Sequence, residues 1–174
     1  MCFDHDSHPP IAPMAGAAIE SRSLELAAAD GNRLAAFAAD APAPIGAGIV
    51  VLPDVRGLHP YYHELALRFA ESGVDAIAFD YFGRTAQTPD RGEGFEYPPH
   101  VAELTWDGVR ADVAAAVESI RQARAPRALF TIGFCMGGRL SFDLGSLPEL
   151  RLAGVIGFYG PVIGPGRALS LIHI

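Results

Sequence analysis

Hydrophobic and polar positions follow two alternating patterns along this chain. Positions 48–52 form a continuous aliphatic run, which is typical of a parallel strand covered on both faces, and positions 74–79 are predicted to be the next buried strand. Between them, from Pro60 to Gly73, apolar residues recur three and four positions apart, and this spacing predicts an amphipathic helix. The stripe of this helix consists of Tyr62, Leu65, Ala66 and Phe69. These elements form a predicted strand–helix–strand unit.

The same patterns continue on both sides of this unit. Positions 21–28 and 33–38 flank Asp30-Gly31-Asn32 and predict a β-hairpin. Further along, Thr105 is placed to cap a helix whose apolar stripe is Trp106, Val109, Val113, Val117 and Ile120. After Pro126 come an apolar run, a helix through 140–144 and a strand at 152–158. Alternating strands and helices predict an α/β fold with a mainly parallel sheet flanked by helices.

Two segments fall outside these patterns. Residues 80–101 are rich in glycine, proline and charge and predict a long connection, which in compact domains is usually functional or mobile. Residues 1–20 are predicted to be a mobile N-terminal tail. Cys2, His5 and His8 offer a metal site there as an alternative, but no matching ligand cluster closes it, so no metal is expected.

Composition and charge limit the classes of molecule that this chain is expected to bind. The 174 residues, half of them hydrophobic, suffice for one domain with a core. A formal net charge of −7 argues against nucleic acid or an anionic membrane surface and favours a small-molecule substrate. Two cysteines give no disulfide framework, and the sequence shows neither a signal peptide nor a membrane-length apolar run. We therefore expect a soluble cytoplasmic protein, and the oligomeric state stays open.

The segment RALFTIGFCMGGR at 127–139 has the pattern of a nucleophile elbow. There a reactive side chain lies on a strained turn between a strand and a helix, and the residues two before and two after it lack bulk. Gly133 and Gly137 hold those positions around Cys135, and Gly138 follows. A helix beginning at Met136 would point free N–H groups at the sulfur and at a developing oxyanion. Cys135 is the candidate nucleophile.

Two other interpretations of this segment are less favoured. A lone cysteine in an apolar run is often a buried core residue. Gly133, Cys135 and Gly138 also occupy the positions of a G-x-G-x-x-G nucleotide-binding turn. However, the middle glycine that admits a pyrophosphate is replaced by Cys135, and no acidic residue lies near the expected ribose position about 20 residues later.

Four motifs together resemble the dienelactone hydrolases, α/β-hydrolases that use a cysteine nucleophile. They are VLPDVRG at 51–57, FDYFGR at 79–84, GFCMGG at 133–138 and GFYG at 157–160, and the likeness covers about residues 45–165. The resemblance implies an α/β-hydrolase fold and hydrolysis of an ester or lactone through an acyl-enzyme. Cys135 would be served by an Asp and a His, and no cofactor is implied.

The resemblance also suggests roles for other residues. Backbone N–H groups of Met136 and Val55 would form the oxyanion hole, while Asp54 matches a family Glu that interacts with the thiol. Arg84 matches a residue that binds the substrate carboxylate. Arg56 has no dependable counterpart and is left as a residue at the mouth of the site.

The acid and base implied by the family are not found after the elbow. No Asp or Glu follows Glu149, and the only later histidine is His173. His59, His63 and His100 lie upstream and are interpreted as helix-entry or surface-loop residues.

The last residues, 169–174, resemble a translated transposon end and are expected to be non-native. The hydrolase domain is then 21–168, lacking the last strands and helix. We expect such a truncated polypeptide to be inactive or nearly so.

Two alternatives to an ester or lactone hydrolase stay open. One is a non-catalytic relative that binds a small ligand and retains the elbow for packing. The other keeps the scaffold but cleaves a thioester or peptide, because fold alone does not fix the chemistry.

Overall fold

Six strands form one mixed sheet in the order β1-β2-β4-β3-β5-β6. The structure is a computed structural model and describes residues 6–14, 18–86 and 88–160. The strands are β1 (Glu20–Ala27), β2 (Arg33–Asp40), β3 (Ala47–Leu52), β4 (Val74–Phe79), β5 (Ala128–Phe134) and β6 (Gly154–Phe158). Pairs β3–β4, β3–β5 and β5–β6 are parallel, which confirms the predicted mainly parallel sheet.

Along the described part of the chain, four α-helices connect the strands. They are α1 (Pro60–Glu71), α2 (Tyr97–Glu103), α3 (Trp106–Arg124) and α4 (Met136–Leu144). The predicted cap of α3 is confirmed, because the N–H of Gly108 donates to Thr105 Oγ1 at 3.2 Å. Gly73, predicted to end α1, lies just beyond it with a φ of 88°. A left-handed residue of this kind is a common helix stop.

The predicted hairpin is confirmed and ties into the sheet. β1 and β2 pair antiparallel along their whole lengths, and the turn between them has Gly31 at a φ of 88°. β2 then pairs antiparallel with β4, with Ala36 opposite Phe79. This register brings the start of β2 next to the carboxyl end of β4.

Two apolar layers cover the sheet. In α1 the stripe residues Tyr62, Leu65 and Ala66 are buried as predicted, whereas Phe69 is only partly buried. On the other face, α3 buries its predicted stripe except for Trp106, which is partly buried. With helices on both faces, the carboxyl edge of β3, β4 and β5 is where loops are free to form a site.

The connection predicted at 80–101 contains more structure than expected. It begins with a 3₁₀ turn at Tyr81–Arg84 and ends in the first part of α2. Between them, the buried Arg91 guanidinium donates to Asp80 from Nε at 3.0 Å and from Nη2 at 2.7 Å. Asp80 also accepts from the backbone of Leu58 and Phe82, so one carboxylate holds the loops after β3 and β4 together.

The remaining predictions concern the two ends of the chain. β6 begins at Gly154 instead of position 152 and is the outermost strand of the described sheet, with Ile156 40% and Phe158 47% exposed. Cys2, His5 and the predicted non-native segment 169–174 lie outside the described residues. Within the described ranges, no helix combines the length and apolar character needed to cross a membrane.

Candidate active site

The turn between β5 and α4 has the strained backbone of an elbow. Cys135 has φ 55° and ψ −118°, a region that residues with a side chain rarely adopt. Its N–H donates to Phe158 O at 3.0 Å, and its own carbonyl accepts from Arg139 N at 3.2 Å. These two bonds tie the turn to the end of β6 and to the first turn of α4.

The glycines around Cys135 are required by close backbone contacts. A Cβ on Gly133 would lie 1.9 Å from Gly137 O, and one on Gly137 would lie 2.2 Å from Leu52 O. A Cβ on Gly138 would lie 2.6 Å from Phe158 O. No such atom fits at these distances. These close backbone contacts explain why the positions require residues without a side chain. They also hold the start of α4 against the end of β3.

The environment of Cys135 differs from that of a core residue. The residue is partly exposed, which argues against a fully buried structural cysteine. Met136, the first residue of α4, has no intrahelical acceptor for its N–H, because the first N–H groups of any helix lack one. The helix start therefore presents a donor and the positive end of its dipole beside Cys135.

A buried carboxylate follows β3 at the same edge of the sheet. Asp54 is fully buried, and Arg56 is 9% exposed. Asp54 Oδ1 accepts from Arg56 N at 2.9 Å and from Arg56 Nε at 3.2 Å, and Asp54 Oδ2 accepts from Arg56 Nη2 at 2.8 Å. Arg56, left at the mouth of the site on sequence grounds, is thus a buried partner of Asp54.

His59 completes this buried charged cluster. Its Nε2 lies 3.6 Å from Asp54 Oδ2, and the residue is fully buried at the start of α1. Burial raises the pKa of Asp54, but the nearby His59 ring and the hydrogen bonds from Arg56 outweigh this effect and leave that pKa well below its ordinary value. The carboxylate is therefore charged at neutral pH.

The three upstream histidines were predicted to be helix-entry or surface-loop residues; the helix-entry position holds for His59, but none of the three is an exposed loop residue. His59 does enter α1, yet it is fully buried against Tyr62, with ring centroids 4.8 Å apart. His63 is half-buried and stacks on Phe37, and His100 stacks on Phe95. Each of the three rings thus packs on an aromatic partner, and only the partner of His63, Phe37, is distant in sequence.

Two tyrosines that sequence reasoning did not select anchor the loop after β3. The N–H of Asp54 donates to Tyr62 Oη at 2.8 Å, and Tyr81 Oη donates to Pro53 O at 2.9 Å. Burial raises the pKa of Tyr81 well above its ordinary value, and the charges of Asp54, Asp80 and Cys135 add to this. The two hydroxyls therefore hold the main chain of the segment that carries Asp54.

Arg84, predicted to bind a substrate carboxylate, already binds two carboxylates of the protein. It donates to Asp112 from Nε at 3.1 Å and from Nη2 at 2.8 Å, and to Asp30 from Nη1 at 2.6 Å. These bonds link the hairpin turn to α3. The predicted role stays a prediction, and it requires a substrate to displace one of these two acids.

A separate cleft of about 650 Å³ lies between β1, β2 and the loop after β4. Its lining includes Arg33, His63, Asp80 and Arg91. Cys135 and Asp54 do not line it, so this cleft is not the space in front of the elbow.

Comparison with known proteins agrees with the elbow geometry. Residues 34–172 match the model of the dienelactone hydrolase family. The chain belongs to this family. The elbow, the fold and the family model therefore agree, and the predicted α/β-hydrolase fold is confirmed.

Two dienelactone hydrolase relatives have informative names. A Bradyrhizobium protein named "Probable 2-oxo-3-(5-oxofuran-2-ylidene)propanoate lactonase" is 32% identical over 114 residues, which cover 64% of this chain and 45% of that protein. A Saccharolobus solfataricus protein named "Putative carboxymethylenebutenolidase" is 26% identical over 178 residues, covering 82% of this chain and 68% of that protein. The match thus spans less than half of the first relative.

Solved structures show the same architecture. A "Putative Dienelactone Hydrolase" from Klebsiella pneumoniae superposes with a TM-score of 0.69 at 25% identity, covering 85% of this chain and 62% of that one. The Pyrococcus furiosus esterase Pf2001 superposes with a TM-score of 0.58 at 17% identity, covering 89% of this chain and 57% of that one. The second likeness concerns the fold alone.

Proposed function

We propose that this dienelactone hydrolase relative cleaves a small carboxylic ester or lactone through an acyl-enzyme on Cys135. The observation that carries the proposal is the strained backbone of Cys135 between β5 and the first turn of α4. A conformation that costs on the order of 1–3 kcal/mol is kept where the surrounding structure enforces it, and such residues cluster at active sites. The names of the two relatives support a lactone or ester as the substrate class.

The chemistry follows from the position of the sulfur. The Cys135 thiolate attacks the carbonyl carbon, a C–S bond forms, and the ester C–O bond breaks with the alcohol oxygen taking up a proton. With a lactone the ring opens and the alcohol stays attached to the acyl group. Water then attacks the thioester, which releases the carboxylic acid and returns the thiol.

The developing oxyanion is stabilised by main-chain donors. Met136 N–H lies at the start of α4, and Val55 N–H belongs to the turn that follows β3. The close packing of Gly137 on Leu52 and Pro53 brings these two segments together. One such donor is worth about 10²–10³-fold in rate in other hydrolases.

The acid and base of a complete triad are not supplied by the described residues that follow Cys135. Residues 136–160 contain no histidine, and their only acids are Asp143 and Glu149. Asp143 is already bound by Arg139, with Nε to Oδ2 at 3.1 Å. We therefore expect a polypeptide of residues 1–174 alone to form the acyl-enzyme slowly and to hydrolyse it very slowly. The low cysteine content fits a reducing, cytoplasmic location.

A burst assay with an activated ester tests the proposal on this polypeptide. With p-nitrophenyl acetate we expect stoichiometric release of p-nitrophenol and an acetyl group on Cys135, detected by peptide mass spectrometry. Cys135→Ala should abolish both signals. Cys2→Ala is the matched control, since it removes the other cysteine, and it should keep them. An undiminished burst in Cys135→Ala would overturn the proposal.

A further inference from the structure

We propose that Arg56 is a positioning residue, which holds the turn at 54–57 so that Val55 N–H faces the oxyanion. The inference rests on the proposed function and adds a residue to it. It also gives Asp54 a different task from the one that the resemblance implies. Asp54 would serve as the anchor of this turn instead of as a partner of the thiol.

The hydrogen bonds on Asp54 enclose Val55. The Asp54 carboxylate accepts from the main-chain N–H of Arg56, two residues later, and also from the side chain of Arg56. Because both groups of Arg56 bind one carboxylate, they close two rings that include the backbone of Val55. The direction of the Val55 N–H is thereby restricted more strongly than by a turn with one side-chain bond.

The first residue of the turn is anchored from outside, and its last residue is held by a bond within the turn and by close packing. Asp54 N–H donates to Tyr62 Oη, and Gly57 N–H donates to Asp54 O at 3.1 Å. Gly57 has a φ of 79°, and a Cβ there would lie 2.4 Å from Asp80 Oδ1. The turn therefore has fixed ends, and the Asp54–Arg56 pair restrains the residue between them.

Burial makes this restraint effective. The side chain of Asp54 is fully buried and that of Arg56 is 11% exposed, so water competes little for their hydrogen bonds. Both oxygens of Asp54 are engaged by Arg56, and His59 Nε2 lies 3.6 Å from Oδ2. The pKa of Asp54 lies well below its ordinary value, so this carboxylate is a weak proton acceptor for a thiol.

Two reactions of Cys135, acylation and alkylation, distinguish a positioning role of Arg56 from a general structural role, which would affect both. Acylation by an ester needs both the thiolate and the oxyanion hole, whereas alkylation by iodoacetamide needs the thiolate and forms no oxyanion. A residue that positions Val55 N–H should therefore change acylation and leave alkylation unaffected.

We would compare Arg56→Ala and Arg56→Lys with the unchanged 174-residue chain. For Arg56→Ala we expect the saturating burst rate with p-nitrophenyl acetate to fall about 100-fold, the loss of one oxyanion donor. We expect the half-saturation concentration to change less than about threefold, because the interaction is made only in the transition state. Alkylation of Cys135 should change less than about twofold.

A rescue experiment and one control variant complete the design. Added guanidinium should restore part of the burst rate in Arg56→Ala, and Arg56→Lys should lie between Ala and Arg, because an ammonium keeps the charge but loses the bidentate geometry. Arg22→Lys is the matched control: its partner Asp40 lies on the hairpin, 43% of the Arg22 side chain is exposed, and its burst rate should be unchanged.

Three outcomes would overturn the inference. One is a burst rate that stays unchanged in folded Arg56→Lys, checked by its thermal unfolding. Another is a parallel fall of burst and alkylation rates, which would place the effect on the thiol. The third is a rise in half-saturation concentration without a fall in the saturating rate. Failure of the proposed function is recognised separately, as a burst that survives Cys135→Ala.

Discussion

Gly137 lies so close to the end of β3 that a methyl group on its α-carbon would sit 2.2 Å from Leu52 O and 2.3 Å from Pro53 O. This contact sets the distance between the helix that begins after Cys135 and the loop that carries Asp54. The positions of the nucleophile and of its neighbouring loop therefore depend on one residue having no side chain.

Gly137→Ala should separate these two segments. We expect a loss of about 2–4 kcal/mol in the free energy of unfolding, because the methyl group meets backbone atoms that cannot rotate away. We also expect slower acylation of Cys135. Urea unfolding and the p-nitrophenyl acetate burst measure the two effects. Gly94→Ala is the control, since a Cβ there meets nothing within 4 Å, and a similar loss in Gly94→Ala would contradict the explanation.

A glycine at position 135 should relieve the backbone strain there and thereby raise the free energy of unfolding. Cys135→Gly should be more stable than Cys135→Ala by about 1 kcal/mol, because only glycine adopts a φ of 55° with a ψ of −118° without penalty. Chemical denaturation of both variants gives the difference. Gly31→Ala, at φ 88° in open space, should show a loss of similar size from backbone strain alone. Equal stabilities of the two Cys135 variants would mean that no strain is stored there.

Asp54 should make the protein sensitive to acid. Its pKa is lowered on folding, so the ionised carboxylate stabilises the folded state above the ordinary Asp value of about 4, and this contribution is lost as the pH falls through the folded value. Unfolding free energies should therefore decline as the pH falls from 6 to 3, by about 1 kcal/mol from this group, and the loss becomes complete only at more acidic pH. Asp54→Asn should flatten that decline. Glu93→Gln, at an exposed loop position, should leave it unchanged.

Arg84 should contribute to stability through Asp112. The Asp112 side chain is only 1% exposed, and burial raises its pKa despite the hydrogen bonds from Arg84 and Asn32. Arg84→Met should therefore lower the free energy of unfolding by about 2 kcal/mol. This is less than the loss expected for a fully buried ion pair, because 23% of the Arg84 side chain is exposed. The double variant Arg84→Met/Asp112→Asn should recover part of this loss in thermal unfolding.

The same variant tests the role that the family resemblance gave to Arg84. A selective loss of turnover on esters with a carboxylate, with no loss of stability, would support substrate binding and contradict the structural assignment. Arg22→Met is the control for the stability loss. It removes an exposed ion pair and should lower the free energy of unfolding by less than about 1 kcal/mol.

Much of the fold followed from local patterns. The strand at 74–79 was predicted with its observed bounds, because a continuous buried run is bordered by Gly73 and by the polar Asp80. The elbow was recognisable because backbone contacts impose glycine at fixed distances from Cys135. Both signals can be read from a short stretch of the sequence.

What escaped prediction depends on how side chains pack in three dimensions and on the tolerance of proline at a helix start. Burial of His59 is caused by the aromatic rings of α1 and by Asp54, and neither relationship is visible in a linear pattern. α2 was missed because Pro98 and Pro99 look like helix breakers, although proline is tolerated in the first turn. Asp112 did leave a signal, because it interrupts the buried face of α3, and a polar residue there requires a partner.

The backbone contacts around the elbow have a consequence for how relatives of this chain can diverge. Gly133, Gly137, Gly138 and Gly160 each face main-chain atoms, so replacing any of them disturbs the architecture itself. A relative that replaces the cysteine loses only the reaction, whereas one that replaces a glycine also loses stability of the fold. The spaced glycines therefore indicate the fold. Whether a relative keeps the activity has to be judged from the residue between Gly133 and Gly137.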